Sequence, residues 1–253
     1  MANRTRLDAL VVERGLAATR ARARALILAG QVQVNDVVQM KAGTAVPNDA
    51  RIALSAPDHP YVGRGGVKLA RALDRFRIAV RGRTALDIGA STGGFSDALL
   101  QRGVTLVVAL DVGRGQLDWK LRADPRVIPL EGINARRFTP KMLPDGIHAV
   151  DVVTIDVSFI SLRLVLPAVP PLVAPDGDVV ALVKPQFEAT RREVGKGGIV
   201  RDPAVRRRVI REVIAVADAV GLAYVSATPA PRRDATVNRE YFVHLRRYAA
   251  SSF

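Results

Sequence analysis

Two apolar runs of this 253-residue chain each end in a side chain capable of acid–base chemistry: Thr154-Ile155 leads into Asp156, and Ala181-Leu182-Val183 leads into Lys184. A third run, Leu86-Asp87-Ile88, passes into the small-residue turn Gly89-Ala90-Ser91-Thr92-Gly93-Gly94. In an open α/β sheet the carboxyl ends of the strands line the ligand crevice, so the acid and the lysine are aimed at one cleft beside that turn. A lysine can act as a general base there if burial and a second cation depress its pKa. Lys184 is the candidate base and Lys68 the candidate neighbouring cation; Asp156 and Glu240 would orient the lysines and balance their charge. A lone Lys or Glu more commonly ends in an ordinary salt bridge, and four convergent positions weigh against that reading.

The turn departs from a dinucleotide fingerprint because Ser91 fills the second glycine position. A pyrophosphate needs close backbone approach at that point, whereas a methionine-bearing nucleoside does not. The turn resembles the glycine-rich motif of S-adenosylmethionine-dependent methyltransferases. That resemblance implies a cofactor site made by Asp87, Gly89, Ala90, Ser91, Thr92, Gly93 and Gly94. The next apolar run ends at Asp111, where an acid can accept hydrogen bonds from ribose hydroxyls. Asn134 follows a further run and either reads the adenine edge or makes a turn, a role to which Asn is suited. Trp119 is assigned to the core. The sulfonium methyl is already electrophilic, so the site must supply an oxygen nucleophile, partly deprotonated and held in line.

The elements that would position these groups fall into two units. Residues 7–14 and 20–29 pattern as short helices, closed by Gly15 and Gly30, with Thr19 as the cap of the second. Residues 31–34 alternate as a strand, Asn35-Asp36 turns the chain, Val37-Val38 begins the return, and residues 51–55 form another strand. Arg20, Arg22 and Arg24 are two apart, so they are expected to fan around the exposed side of the second helix and contact phosphates. Pro57-Asp58-His59-Pro60 breaks the pattern, and residues 58–63 read as a linker. A helix is expected over 64–77. Strands and helices then alternate at 84–88, 94–102, 105–111, 126–130, 149–156, 177–184, 203–220, 222–228 and 241–246. This alternation predicts an α/β domain with a mostly parallel, Rossmann-like sheet and helices on both faces.

Composition narrows the partners. The formal net charge is +14, which favours a polyanion, above all nucleic acid. There are no cysteines, which excludes disulfides and thiolate metal sites, and His59, His148 and His244 are too scattered to suggest a metal centre. No apolar h-region follows the first residues, and the longest apolar run, residues 164–175, is short and carries four prolines. A cytoplasmic protein with no membrane segment and no metal is expected.

The segments Arg6-Leu7-Asp8, Gly15-Leu16-Ala17, Ala25-Leu26-Ile27 and Gly30-Gln31-Val32 resemble the S4 RNA-binding domain over most of residues 3–56. This makes residues 1–57 the expected small α+β RNA-binding module and 64–253 the catalytic domain. Arg4, Arg6, Arg20, Arg22, Arg24 and Arg64 are its candidate RNA contacts. Arg64-Gly65-Gly66-Val67-Lys68-Leu69, Asp111-Val112-Gly113-Arg114-Gly115-Gln116-Leu117, Asp156-Val157-Ser158-Phe159-Ile160-Ser161-Leu162, Leu182-Val183-Lys184-Pro185-Gln186-Phe187-Glu188 and Gly195-Lys196-Gly197-Gly198-Ile199 resemble the TlyA family of hemolysin-like rRNA 2′-O-methyltransferases, within the FtsJ-like group.

The resemblance implies a class I methyltransferase fold, S-adenosylmethionine as cofactor and ribosomal RNA or a ribosomal subunit as partner. It also implies a Lys68-Asp156-Lys184-Glu240 tetrad that methylates a cytidine 2′-hydroxyl of large-subunit rRNA, and in some members of small-subunit rRNA. Two departures stand out. The segment before Glu240, residues 232–238, lacks the family's glycines, and the chain ends at Phe253 where longer members add a C-terminal helix. The shorter form is associated with large-subunit modification only. The glycine-rich basic loop, residues 191–201, is expected to order on RNA or cofactor. A non-catalytic rRNA-binding assembly factor and a membrane-lytic hemolysin are the competing readings. The glycine turn and Asp111 count against the first, and the lack of a spanning or long amphipathic segment against the second.

Overall fold

The computed structural model of the chain describes residues 4–17, 19–54, 59–232 and 237–248. The N-terminal module runs β1 (Arg4–Arg6), α1 (Leu7–Glu13), α2 (Arg20–Leu28), β2 (Val32–Val34), β3 (Val37–Gln39), β4 (Ala45–Pro47) and β5 (Ile52–Leu54). The Thr19 hydroxyl caps α2 by accepting from the Arg22 amide at 3.1 Å. Asn35 and Asp36 both hold positive φ, 49° and 65°, which is the twist a two-residue hairpin between β2 and β3 requires. The strands form the sheet β3-β2-β5, and a separate pair joins β1 to β4. Leu7, Leu10, Val11, Leu26, Ile27, Val32 and Val46 fill the core beneath them.

The larger domain follows with α3 (Arg64–Phe76), β6 (Thr84–Ile88), α4 (Gly94–Gln101), β7 (Leu106–Asp111), α5 (Trp119–Arg122), β8 (Val127–Glu131), β9 (Val150–Ile155), β10 (Val173–Val183), α6 (Pro185–Glu188), α7 (Pro203–Ala219), β11 (Leu222–Pro229) and β12 (Tyr241–Arg247). The sheet has seven strands in the order β11-β12-β10-β9-β6-β7-β8, with β12 antiparallel to both its neighbours. Side chains alternate along each strand, so the sheet feeds two cores. On one face Leu86, Ile88, Val153 and Ile155 pack with Val213 and Ala217 of α7. On the other, Ala85, Val107, Val152 and Phe242 pack with Leu69 and Leu73 of α3 and with Leu99 of α4. Each fully buried leucine contributes roughly 2 kcal/mol of apolar transfer energy.

The sheet, its two helical layers and the N-terminal module have the architecture expected from the sequence. Three local expectations need correcting. Trp119 is 69% exposed rather than in the core; it opens a four-residue helix whose buried residue is Leu121. Strand β10 begins at Val173, not 177, because an irregularity between Val173 and Asp178 extends its pairing with β9. The pair β1–β4 was not anticipated, since three-residue strands carry too little periodicity to read. The proposed boundary at 57/58 and the segment 233–236 before Glu240 lie outside the described residues.

Candidate active site

Gly89 ends β6 at φ +85°, and a Cβ placed there would lie 2.5 Å from the Asp156 carbonyl oxygen. Only glycine permits the turn to run this close to the end of β9. The Asp156 amide donates to the Ile88 carbonyl at 2.9 Å, and the Gly89 amide donates to Leu110 at 2.8 Å, so three neighbouring parallel strands fix the turn. Ser91 itself holds φ +49°, a left-handed conformation in a non-glycine residue at the cavity wall. Its amide donates to Asp111 at 2.8 Å and its hydroxyl to Gln116 at 3.2 Å.

A cavity of about 1260 Å³ opens above this turn. Its wall contains Gly89, Ala90, Ser91, Thr92 and Gly94 together with Lys68, Asp156, Lys184 and Glu240. The four charged residues form two pairs. Lys184 Nζ lies 2.6 Å from Asp156 Oδ1 and donates to the Ser158 hydroxyl at 2.8 Å. Lys68 Nζ donates to Glu240 Oε2 at 2.7 Å. Their origins are separate: Asp156 and Lys184 follow adjacent parallel strands, Lys68 lies on α3, and Glu240 precedes β12. All four side chains are partly buried.

The remaining cofactor candidates occupy different places. Asp111 lies at the end of β7 and accepts from the Ser91 amide at 2.8 Å and the Gly113 amide at 2.6 Å. Each of its oxygens keeps a lone pair for a further donor. Asp87 is fully buried and does not reach the cavity; it accepts from Ser96 at 2.7 Å and Thr154 at 2.9 Å. Burial pushes its pKa up to about 7, against the pull of those two hydroxyls and with a further push from Asp156. Asp87 is therefore a brace beneath the turn, which corrects its expected place as a cofactor contact. Gly93 caps α4 at φ +92° against Leu117 and Leu121. The Asn134 side chain accepts from the Arg136 amide at 3.0 Å and caps a short 3-10 segment.

The arginines also correct an expectation. Arg20 and Arg24 are one helical turn apart and share a face, and both reach Asp8 instead of fanning freely. Arg6 completes the cluster with two bonds of 3.0 Å to the same carboxylate. Asp8 is buried, while the three guanidinium groups remain about half exposed. The Arg6 bonds lead in holding the Asp8 pKa well below the usual carboxylate range, with Arg24 and Arg20 adding to them against its burial. Arg4 donates to the Ala45 carbonyl at 2.8 Å, and Arg64 lines the cavity. Arg22 points the other way and pairs with Asp118 of the larger domain.

Several contributors escaped the sequence reading. Ser158 holds Lys184. Phe159 is 92% exposed on the cavity wall at φ +63°, with its ring 5.2 Å from that of Phe187. Glu188 fixes the loop between them by accepting from the Leu162 amide at 2.7 Å. Asn238 ties residues 198–200 to the segment before Glu240, donating to Gly198 and accepting from Val200. Tyr61 packs where a side chain on Gly66 would lie, which seats the linker on α3. Ser158 and Phe159 lie within a quoted motif, yet nothing in residue type alone marks their contacts.

The FtsJ-like methyltransferase model matches residues 61–247, and the S4 domain model matches residues 5–52. This chain belongs to the FtsJ-like methyltransferase family. Within it the chain is 46% identical to the 16S/23S rRNA (cytidine-2′-O)-methyltransferase TlyA of Mycobacterium tuberculosis, over 97% of this chain and 91% of that one. A solved candidate hemolysin of Streptococcus thermophilus superposes with a TM-score of 0.74 at 40% identity, covering 98% of this chain and 90% of that one. The N-methyltransferase NodS of Bradyrhizobium japonicum, solved with S-adenosyl-L-homocysteine, shares the methyltransferase fold at a TM-score of 0.51 and 16% identity, covering 75% and 89%. No helix among the described residues is long and apolar enough to cross a membrane. No group of three or more potential metal ligands occurs among them.

Proposed function

We propose that this protein methylates the 2′-hydroxyl of a cytidine in ribosomal RNA, using S-adenosylmethionine, in the cytoplasm. Large-subunit rRNA is the primary substrate. The observation that carries the reading is the meeting of two lysine–carboxylate pairs and the glycine turn on one cavity wall. The cofactor fits the residues present. The turn at Gly89 has no room for a side chain, Ser91 and Gln116 line the cavity, and Asp111 holds the Ser91 amide of the turn and the Gly113 amide beyond β7 with acceptor capacity to spare.

When bound, S-adenosylmethionine supplies an electrophilic sulfonium methyl. The chain's own residues prepare the nucleophile. Lys184 accepts the ribose hydroxyl proton, held in place by Asp156 and Ser158. Glu240 fixes Lys68 on the wall of the same cavity. Positioned acid–base groups of this kind contribute about 10²- to 10⁴-fold.

The test is Lys184→Ala in the purified full chain, with rRNA from a strain lacking the gene as substrate. Transfer should fall at least ~100-fold while affinity for rRNA and cofactor is retained. Nucleoside mass spectrometry of the product identifies the modified base. Full transfer by the variant would remove Lys184 from the mechanism. Binding of rRNA by the wild type without cofactor affinity would point to an assembly factor instead.

A further inference from the structure

A second concavity, of about 390 Å³, opens beside the catalytic cavity. Its floor is apolar, with Ala72, Ala230 and Phe242 buried. Its rim carries Arg71, Arg75, Arg232 and Arg239, all four exposed. Among the described residues no carboxylate lines it, and none of the four guanidinium groups has a hydrogen-bond or ion-pair partner. Other arginines of the same domain do find carboxylates: Arg102 pairs with Asp74 at 2.8 Å, Arg83 with Asp178 at 2.7 Å, and Arg246 with Asp178 at 2.9 Å. Unpaired like charges held around one groove repel, so an anion that fits there gains their combined field.

The groove is continuous with the catalytic cavity, because Arg71, Pro231 and Arg232 line both. Lys68, Arg71 and Arg75 are spaced i, i+3 and i+7 on α3 and share one face. At 1.5 Å per residue this stripe runs about 10 Å outward from the catalytic lysine. The opposite rim is anchored equally well. Arg239 immediately precedes Glu240, the partner of Lys68, and the Glu240 carbonyl accepts from the Ala230 amide at 2.9 Å. A track of guanidinium groups thus leads from the tetrad to the surface. Planar forks of this kind match phosphate oxygens.

We propose that Arg71, Arg75, Arg232 and Arg239 bind the phosphodiester backbone of the RNA strand flanking the target nucleotide, and so set the direction from which substrate enters. This rests on the functional reading above. The arginines position substrate and take no part in the transfer itself.

The experiment compares wild type, R71A/R75A/R239A, R71K/R75K/R239K and the control R207A/R211A, which removes charge from α7. The probe is fluorescently labelled rRNA from a strain lacking the gene, titrated by anisotropy across a salt series. Each lost phosphate contact reduces the slope of log affinity against log salt by about 0.7–0.9. The alanine triple variant should therefore lose about 2–3 from the slope and at least ~10-fold in affinity at moderate salt. It should keep wild-type calorimetric affinity for S-adenosylmethionine. The lysine triple variant should keep the slope, which separates loss of charge from loss of fold. A wild-type slope in the alanine variant, or an equal loss in the control, overturns the groove while leaving the enzymatic reading in place. If wild type neither binds nor methylates the rRNA, both readings fall together.

Discussion

Arg22 of the N-terminal module forms an ion pair with Asp118 of the larger domain, and the Asp118 amide in turn donates to the Thr92 carbonyl at 3.1 Å. Thr92 belongs to the glycine turn, so a two-step path joins α2 to the cavity wall. Asp118 also caps α5, accepting from the Lys120 amide at 3.0 Å. The pair is mostly buried, which makes it worth more than an exposed one.

Arg22→Ala should leave Asp118 without its charged partner and cost about 1.5–3 kcal/mol. In differential scanning calorimetry the expected result is a lower transition, or two transitions where wild type shows one. Affinity for S-adenosylmethionine should fall with it, because the turn loses part of its support. Unchanged melting and unchanged cofactor affinity would show that Arg22 is available for RNA instead.

The pair of Lys68 and Glu240 gives a second prediction. Glu240→Gln preserves a hydrogen-bond acceptor for Lys68 but removes the charge. Losing a charge-assisted bond of about 1.5–3 kcal/mol corresponds to roughly 10- to 100-fold in kcat. The affinities for cofactor and rRNA should stay within about twofold, as read by calorimetry and anisotropy. A variant with wild-type kcat would mean that Glu240 merely neutralises Lys68 in the resting enzyme.

Asp87 makes stability depend on pH. Its folded pKa is raised to about 7 from 3.8, so the folded state holds a proton that the unfolded chain releases. The contribution is fully present below about pH 4 and is lost as pH rises through about 7. Asp87→Asn can accept from one hydroxyl and donate to the other without titrating. The difference in melting temperature between variant and wild type should therefore shift in favour of the variant from pH 5 to pH 8. A constant difference across that range would refute the assignment.

Much of this architecture was legible in the sequence, because long strands and helices carry their own periodicity. Residues 84–88 and the helix starting at Gly94 fall where the pattern puts them. The convergence of Lys184 with Asp156 was readable too, since both follow apolar strands that pair in parallel. Contacts set by distant packing were not. Nothing in the sequence marks Asp8 as buried, yet it gathers three arginines. Asp87 looks like part of the ligand turn, but strand alternation sends it inward to Ser96 and Thr154. Trp119 looks like core and is exposed, because Leu121 fills the space beneath that short helix.

Gly89 and Gly82 together separate backbone strain from steric clash. Both hold positive φ, +85° and +76°, so alanine at either is strained by about 1–2 kcal/mol. At Gly82 a new Cβ meets nothing within 4 Å, whereas at Gly89 it lies 2.5 Å from the Asp156 carbonyl oxygen. Gly82→Ala should lower the melting temperature by a few degrees, at about 2–4 °C per kcal/mol for a chain of this size, and leave transfer intact. Gly89→Ala must push the end of β9 away from the turn, carrying Asp156 off Lys184. It should melt lower still and lose transfer even when assayed well below its melting point. Equal behaviour of the two variants would mean that the approach of the turn to Asp156 is not what positions the lysine.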